Sequence, residues 1–199
     1  MASPKPSLRL AVLISGSGST LQNLIDRTGA AELPATIVGV VASRVGIFGI
    51  ERAEQAQLPV RVVERKPVAT FSERVFAAVR ASEPDFVILA GWLQLLQIPA
   101  DFENRVLNIH PSLLPAFGGP GMYGRHVHEA VLASGATVSG CTVHFADNTY
   151  DTGPIVLQRQ VPVLKSDTPD TLAARVQAAE CEAYPDAIRK IAGFGFKIG

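Results

Sequence analysis

Apolar positions along the chain fall into short runs separated by segments with helical spacing. Leu8 to Ile14 (LRLAVLI) is nearly continuous in apolar residues, the pattern of a strand buried on both faces. Leu21, Leu24 and Ile25 then recur at helical intervals. Thr36 to Ala42 predicts a second buried strand, Phe48 to Gln57 a helix, and Val60 to Val63 a third strand. Phe71 to Ala81 places Phe71, Val75, Phe76 and Val79 on one helical face. Asp85 to Ala90 and Arg105 to Ile109 predict strands, Val127 to Leu132 a short helix, and Cys141 to Phe145 and Ile155 to Val163 two more strands. Thr168 to Ala192 carries a long helical pattern that Pro185 should kink or divide. Strands alternating with helices imply an α/β fold, a doubly wound and mostly parallel sheet flanked by helices. Sites in such folds lie at the carboxyl ends of the strands.

Composition narrows this picture. The chain has 199 residues, 47% of them hydrophobic, enough for one ordered domain over residues 8–199 behind a loose tail over 1–7. Lys plus Arg and Asp plus Glu both number 18, which argues against a nucleic-acid footprint. No apolar run reaches the ~20 residues that a membrane span needs, and the first residues lack the apolar core of a signal peptide. Cys141 and Cys181 form no ligand cluster and read as reduced thiols of a cytoplasmic protein.

The most informative run is Leu107-Asn108-Ile109-His110-Pro111. Residues two apart on a strand share a face, so an amide and an imidazole project together where Pro111 ends the strand. That pairing suits a site that stabilises an oxyanion and moves a proton. The turn Ser15-Gly16-Ser17-Gly18-Ser19-Thr20 joins the first strand to the first helix. It lacks the third glycine of a dinucleotide fingerprint and the Gly-Lys of a P-loop. It reads as a monophosphate site at a helix N-terminus ahead of a merely tight turn. Arg44, after the second strand, keeps open a rival reading as a 2′-phosphate contact. Gly91 to Leu96 fits either core packing or a slot for a flat aromatic ligand.

Asp147 to Pro154 is a loop. Taken alone, Asp151 is a turn aspartate; near His110 it would orient the ring and raise its pKa. His126 and His128 sit two apart at a helix start, with no further ligand at metal spacing, and read as solvated or capping. His144, on a strand, fits an approach to the site or a hydrogen-bonded structural role.

Four runs occur in the order seen in the folate-dependent formyltransferases. They are Leu13 to Ser19, Leu89 to Trp92, Asn108 to Pro115 and Asp151 to Pro154. Within that superfamily the chain resembles the phosphoribosylglycinamide formyltransferases, from about Leu8 to Lys190. The branch is indicated by the Gly-Ser-Gly-Ser turn and by the segment with Arg175, Gln177, Glu180, Tyr184 and Pro185. The resemblance implies formyl transfer from 10-formyltetrahydrofolate to the amine of a phosphoribosyl glycinamide, a step of purine synthesis. It implies small-molecule substrates, no metal, nucleic acid or membrane, and a monomer or homodimer. Asn108, His110 and Asp151 would be catalytic. Gly18, Ser19, Thr20, Gln177 and Glu180 would hold the ribonucleotide. Leu93, Gln94, Leu95, Leu96, Asn108, Ala146, Asp147 and Asp151 would take the folate. Gln94 and Val68 stand where many relatives carry an arginine for the folate tail. The Gly-rich stretch Ala116 to Arg125 is longer than in shorter relatives and could act as a lid. The rivals are a formyltetrahydrofolate deformylase and a non-catalytic nucleotide-binding module. A methionyl-tRNA formyltransferase is disfavoured by length and charge balance.

Overall fold

The computed structural model describes residues 7–193. Seven strands form one sheet in the order β3-β2-β1-β4-β5-β6-β7. They are β1 (Leu8–Ile14), β2 (Ala35–Ala42), β3 (Val60–Val62), β4 (Phe86–Leu89), β5 (Val106–His110), β6 (Val138–Phe145) and β7 (Ile155–Pro162). Five α-helices accompany them: α1 (Ser19–Gly29), α2 (Phe48–Gln55), α3 (Phe71–Arg80), α4 (Arg125–Ala133) and α5 (Pro169–Gly193). Pairing is parallel from β3 through β5 and antiparallel at β5–β6 and β6–β7. The predicted mostly parallel, doubly wound sheet is therefore observed, with element ends within about three residues of expectation. The predicted tail lies outside the described residues except for Ser7. Among the described residues no helix is long and apolar enough to cross a membrane.

β1 shows why its sequence is continuously apolar. Leu10, Val12 and Ile14 pack into the larger core cluster, while Ala11 and Leu13 pack into a second cluster with Phe71, Val75 and Phe76. A central strand covered by helices on both faces has no side to give to polar residues.

The expected division of α5 at Pro185 does not occur; the helix is continuous through it. Proline removes the N–H that would bond the carbonyl four residues earlier, that of Cys181. The Asn23 side chain donates to that carbonyl at 2.8 Å, so the interruption becomes a joint between α1 and α5. A second joint holds α5 to the sheet. Tyr184 is fully buried, and its hydroxyl lies 2.8 Å from the Leu107 carbonyl and 3.2 Å from that of Leu89. These contacts fix Gln177 and Glu180, two turns and one turn earlier, relative to the ends of β4 and β5.

Candidate active site

β1 and β4 are neighbours in the sheet, and their connections leave in opposite directions along it. This is the switch point where ligands of doubly wound sheets bind. A cavity of about 450 Å³ opens there. Thr20 of α1, Gly91 and Trp92 after β4, Asn108 and His110 of β5, and Gln177 and Glu180 of α5 all reach it.

The α1 end is built from backbone. Gly18 precedes the helix with φ 72°, and no side chain caps the first turn. A Cβ at Gly18 would stand 2.6 Å from Gly49 Cα, so only glycine fits both the conformation and the space. The uncapped N–H groups and the helix dipole leave this end suited to an anion. Gln177 Nε2 lies 3.1 Å from Ser19 Oγ, which brings the α5 and α1 candidates together. Gly18 and Ser19 adjoin the cavity; Thr20, Gln177 and Glu180 line it. Burial pushes the Glu180 carboxyl up to about 7.

At the β5 end, antiparallel pairing sets Asn108 directly opposite His144. His144 Nδ1 donates to its neighbour's carbonyl, that of Phe145, at 2.9 Å, which leaves Nε2 free to accept from the Asn108 amide at 3.1 Å. The loop after β6 then carries Asp151 back over this pair. Gly153 permits the fold-back, since a Cβ there would sit 1.8 Å from the Phe145 carbonyl oxygen. Asp147 ties the loop internally, accepting from the Thr149 N–H and the Thr152 hydroxyl. Asp151 itself has φ 58°, a conformation that aspartate tolerates better than most residues.

The Asp151 carboxylate is the centre of the cluster. One oxygen accepts from the Gly119 N–H at 3.0 Å and lies 3.4 Å from His110 Nδ1. The other stands 3.5 Å from the Asn108 amide nitrogen and 3.6 Å from His144 Nε2. Burial alone would raise the Asp151 pKa. Its contacts with His144, Gly119 and His110 outweigh that, so it stays charged below the ordinary carboxylate value.

His110 departs from expectation. Asp151 does pull its pKa upward, as does the Phe117 carbonyl, 2.8 Å from Nε2. The ring is only 4% exposed, however, and loss of solvation dominates, so its pKa lies below the ordinary histidine value. Asp151 therefore limits the fall in pKa without producing the net rise anticipated from a neighbouring carboxylate.

The Gly-rich stretch is a wall of the site. Phe117 supplies the carbonyl that meets His110, Gly119 the N–H that meets Asp151, and Gly121 to Arg125 line the cavity. The preceding segment is pinned by Thr142, whose hydroxyl donates to the Ser112 carbonyl at 2.7 Å and accepts from the Leu114 N–H at 3.0 Å.

The residues assigned to folate separate. Gln94, Leu95, Leu96, Ala146, Asp147 and Asp151 line a second hollow of about 60 Å³, room for a few waters. Leu93 does not join them. It is 52% exposed and lines the large cavity and a neighbouring hollow with Ser15, Arg44, Arg65 and Lys66. Asn108 also faces the large cavity. Val68 is exposed outside both.

Three contributors were not anticipated in these roles. Phe117 and Gly119 act through backbone groups, which leave no side-chain signal. His128, expected to be solvated or capping, is 5% exposed and lines the cavity. His126 does face solvent, 3.6 Å from Glu129. For His144 the sequence offered only its place on a strand; the pairing opposite Asn108 comes from the fold. Among the described residues no group of three or more His, Cys, Asp or Glu could hold a metal ion.

Residues 8–188 match the formyl transferase family. The chain belongs to that family. It is 41% identical, over 96% of its length, to the trifunctional purine biosynthetic protein adenosine-3 of Bos taurus, and covers 19% of that protein. Among solved structures it resembles phosphoribosylglycinamide formyltransferase from Brucella melitensis. The TM-score is 0.85 at 40% identity, covering 93% of this chain and 95% of that one. Glycinamide ribonucleotide transformylase 1 from Symbiobacterium toebii gives a TM-score of 0.85 at 39% identity, covering 94% and 88%. The family match covers both the turn at Gly18 and the loop bearing Asp151.

Proposed function

We propose that this chain transfers the formyl group of 10-formyltetrahydrofolate to the amine of N1-(5-phospho-D-ribosyl)glycinamide, a step of purine synthesis. One observation carries the reading: a single cavity joins a helix N-terminus suited to phosphate with the Asn108, His110 and Asp151 cluster. Relatives named for this activity support it. The phosphate would lie at Gly18 to Thr20, with Gln177 and Glu180 near the nucleotide. The folate would enter beside Leu93 to Leu96 and the Ala146 to Asp151 loop, which must open beyond its present hollow.

The amine attacks the formyl carbon, forming a nitrogen–carbon bond and placing negative charge on the formyl oxygen. Asn108 and His110 are the donors for that charge. Asn108 already donates to His144 Nε2, with Asp151 a longer 3.5 Å away, and His110 donates to the Phe117 carbonyl. An oxyanion is a stronger acceptor than that imidazole nitrogen or carbonyl, so the exchange favours the transition state over the bound substrate. The proton lost by the attacking nitrogen reaches the departing folate nitrogen through His110 or a water held by Asp151, as the old carbon–nitrogen bond breaks. We further place the protein in the cytoplasm, where free thiols such as those of Cys141 and Cys181 stay reduced.

The test supplies 10-formyltetrahydrofolate with and without the amine and follows loss of the formyl group. Amine-dependent loss is expected. Amine-independent loss would instead identify a deformylase, and no loss a binding module. His110→Ala should lower turnover by ~10²-fold or more; near-full turnover would remove His110 from the mechanism.

A further inference from the structure

α4 turns Val127, His128 and Val131 inward. Two of these are ordinary core residues, and the third is an imidazole with no hydrogen bond to any described residue. Its Nδ1 is enclosed and unpartnered. Buried polar atoms in native folds nearly always find partners, and a missing partner costs ~1–3 kcal/mol. The His128 ring lines the same cavity as Asn108, His110, Gln177 and Glu180. It is close enough to His110 for the two rings to interact electrostatically. This places it at the reacting end of the cavity, away from the α1 turn.

We propose that His128 binds the glycinamide end of the acceptor, exchanging hydrogen bonds with its amine and amide groups. The inference rests on the function proposed above. A neutral imidazole offers one donor and one acceptor. The glycinamide end offers N–H donors and a carbonyl acceptor, so the two are complementary. Burial and the nearby His110 both favour the neutral ring. His128 would thus be a second histidine of the site, touching the acceptor while His110 meets the formyl oxygen.

The test uses the full chain with His128→Leu and His128→Gln. Thermal melts are taken with and without N1-(5-phospho-D-ribosyl)glycinamide, and KM is measured for each substrate. A contact with the acceptor predicts that His128→Leu melts no lower than wild type when alone, since it removes an unsatisfied polar group. It should lose the shift given by the amine and raise the amine KM by about tenfold or more, the loss of about 1.4 kcal/mol. The folate KM should stay unchanged. His128→Gln, which keeps a donor and an acceptor, should recover part of the binding and serves if the leucine variant does not fold. Wild-type amine KM and thermal shift in His128→Leu, or in His128→Gln should the leucine variant not fold, would overturn the proposal. A wild-type protein that neither binds nor formylates the amine would overturn the proposed function, and this contact with it.

Discussion

The β1–β4 side of the sheet and the β5–β7 side meet at one cavity but contribute to it by different means. The parallel side offers backbone: an uncapped helix start behind Gly18 and an open turn at Gly91. The antiparallel side offers side chains: Asn108, His144 across the ladder from it, and Asp151 folded back from the next loop. The difference follows from geometry. A parallel strand ends at a helix whose first N–H groups all point one way, which suits a fixed charge. An antiparallel hairpin returns its loop over its own neighbours, which lets several titratable groups crowd one point. Under the proposed function, recognition of an anion and movement of a proton would fall to different halves.

The largest effect expected from breaking this division is at Asp151. Asp151→Asn leaves the shape but removes the charge facing His110 and His144, and turnover should fall by ~10²–10⁴-fold. The acid limb of the pH–rate profile should also move, and an unchanged profile would take Asp151 out of the chemistry. On the parallel side, Gly18→Ala should destabilise the fold by ~1–3 kcal/mol, because the new methyl meets Gly49 where φ is already 72°. Denaturant midpoints check this, and the amine KM should rise while the folate KM holds. Equal rises in both would mean that the two halves are not separate in function. A smaller loss is expected at the joint between α1 and α5. Asn23→Leu leaves the Cys181 carbonyl without its donor and should cost ~1–2 kcal/mol. The melting temperature should drop by roughly 2–8 °C in a domain of this size. The smallest effect is one of pH. His110 and His128 both have lowered values in the fold. Between those values and the unfolded value of about 6.5, the unfolded chain binds more protons than the folded one. The two rings' contribution to stability should therefore be complete above pH ~6.5 and fall as pH drops from there toward the folded values, against the opposite slope of Glu180, whose carboxyl is pushed up to about 7. In the Glu180→Gln variant, which removes that opposing slope, urea midpoints that rise on acidification across the interval would contradict the burial of both rings.

Much of this was readable from residues. The strand runs, the α1 turn and the Asn108–His110 pair each carry a local signature, because periodicity and chain chemistry are local properties. What escaped depended on contacts distant in sequence. Pro185 was expected to kink or divide α5; the division does not occur, and Asn23, arriving from another helix, takes the carbonyl that the proline leaves free. His110 was expected to gain a raised pKa from Asp151; its depth of burial, which no spacing reveals, decides otherwise. His128 looked like a surface residue because its helix was expected to begin two residues later than it does, hiding which face turns inward. Leu93 was grouped with Leu95 and Leu96 but lines different hollows than they do.

The two clamps from the Gly-rich wall come from main-chain atoms, the Phe117 carbonyl and the Gly119 N–H. No exchange of side chains between Ala116 and Arg125 deletes either atom, save proline at position 119. Losing or gaining one residue in the stretch would move both out of register at once. Outside Gly118 and the positive-φ glycines Gly119, Gly121 and Gly124, the segment should therefore accept changes of composition, and it should reject changes of length. A library that randomises its other residues at constant length should retain many active members, while single-residue deletions should retain few.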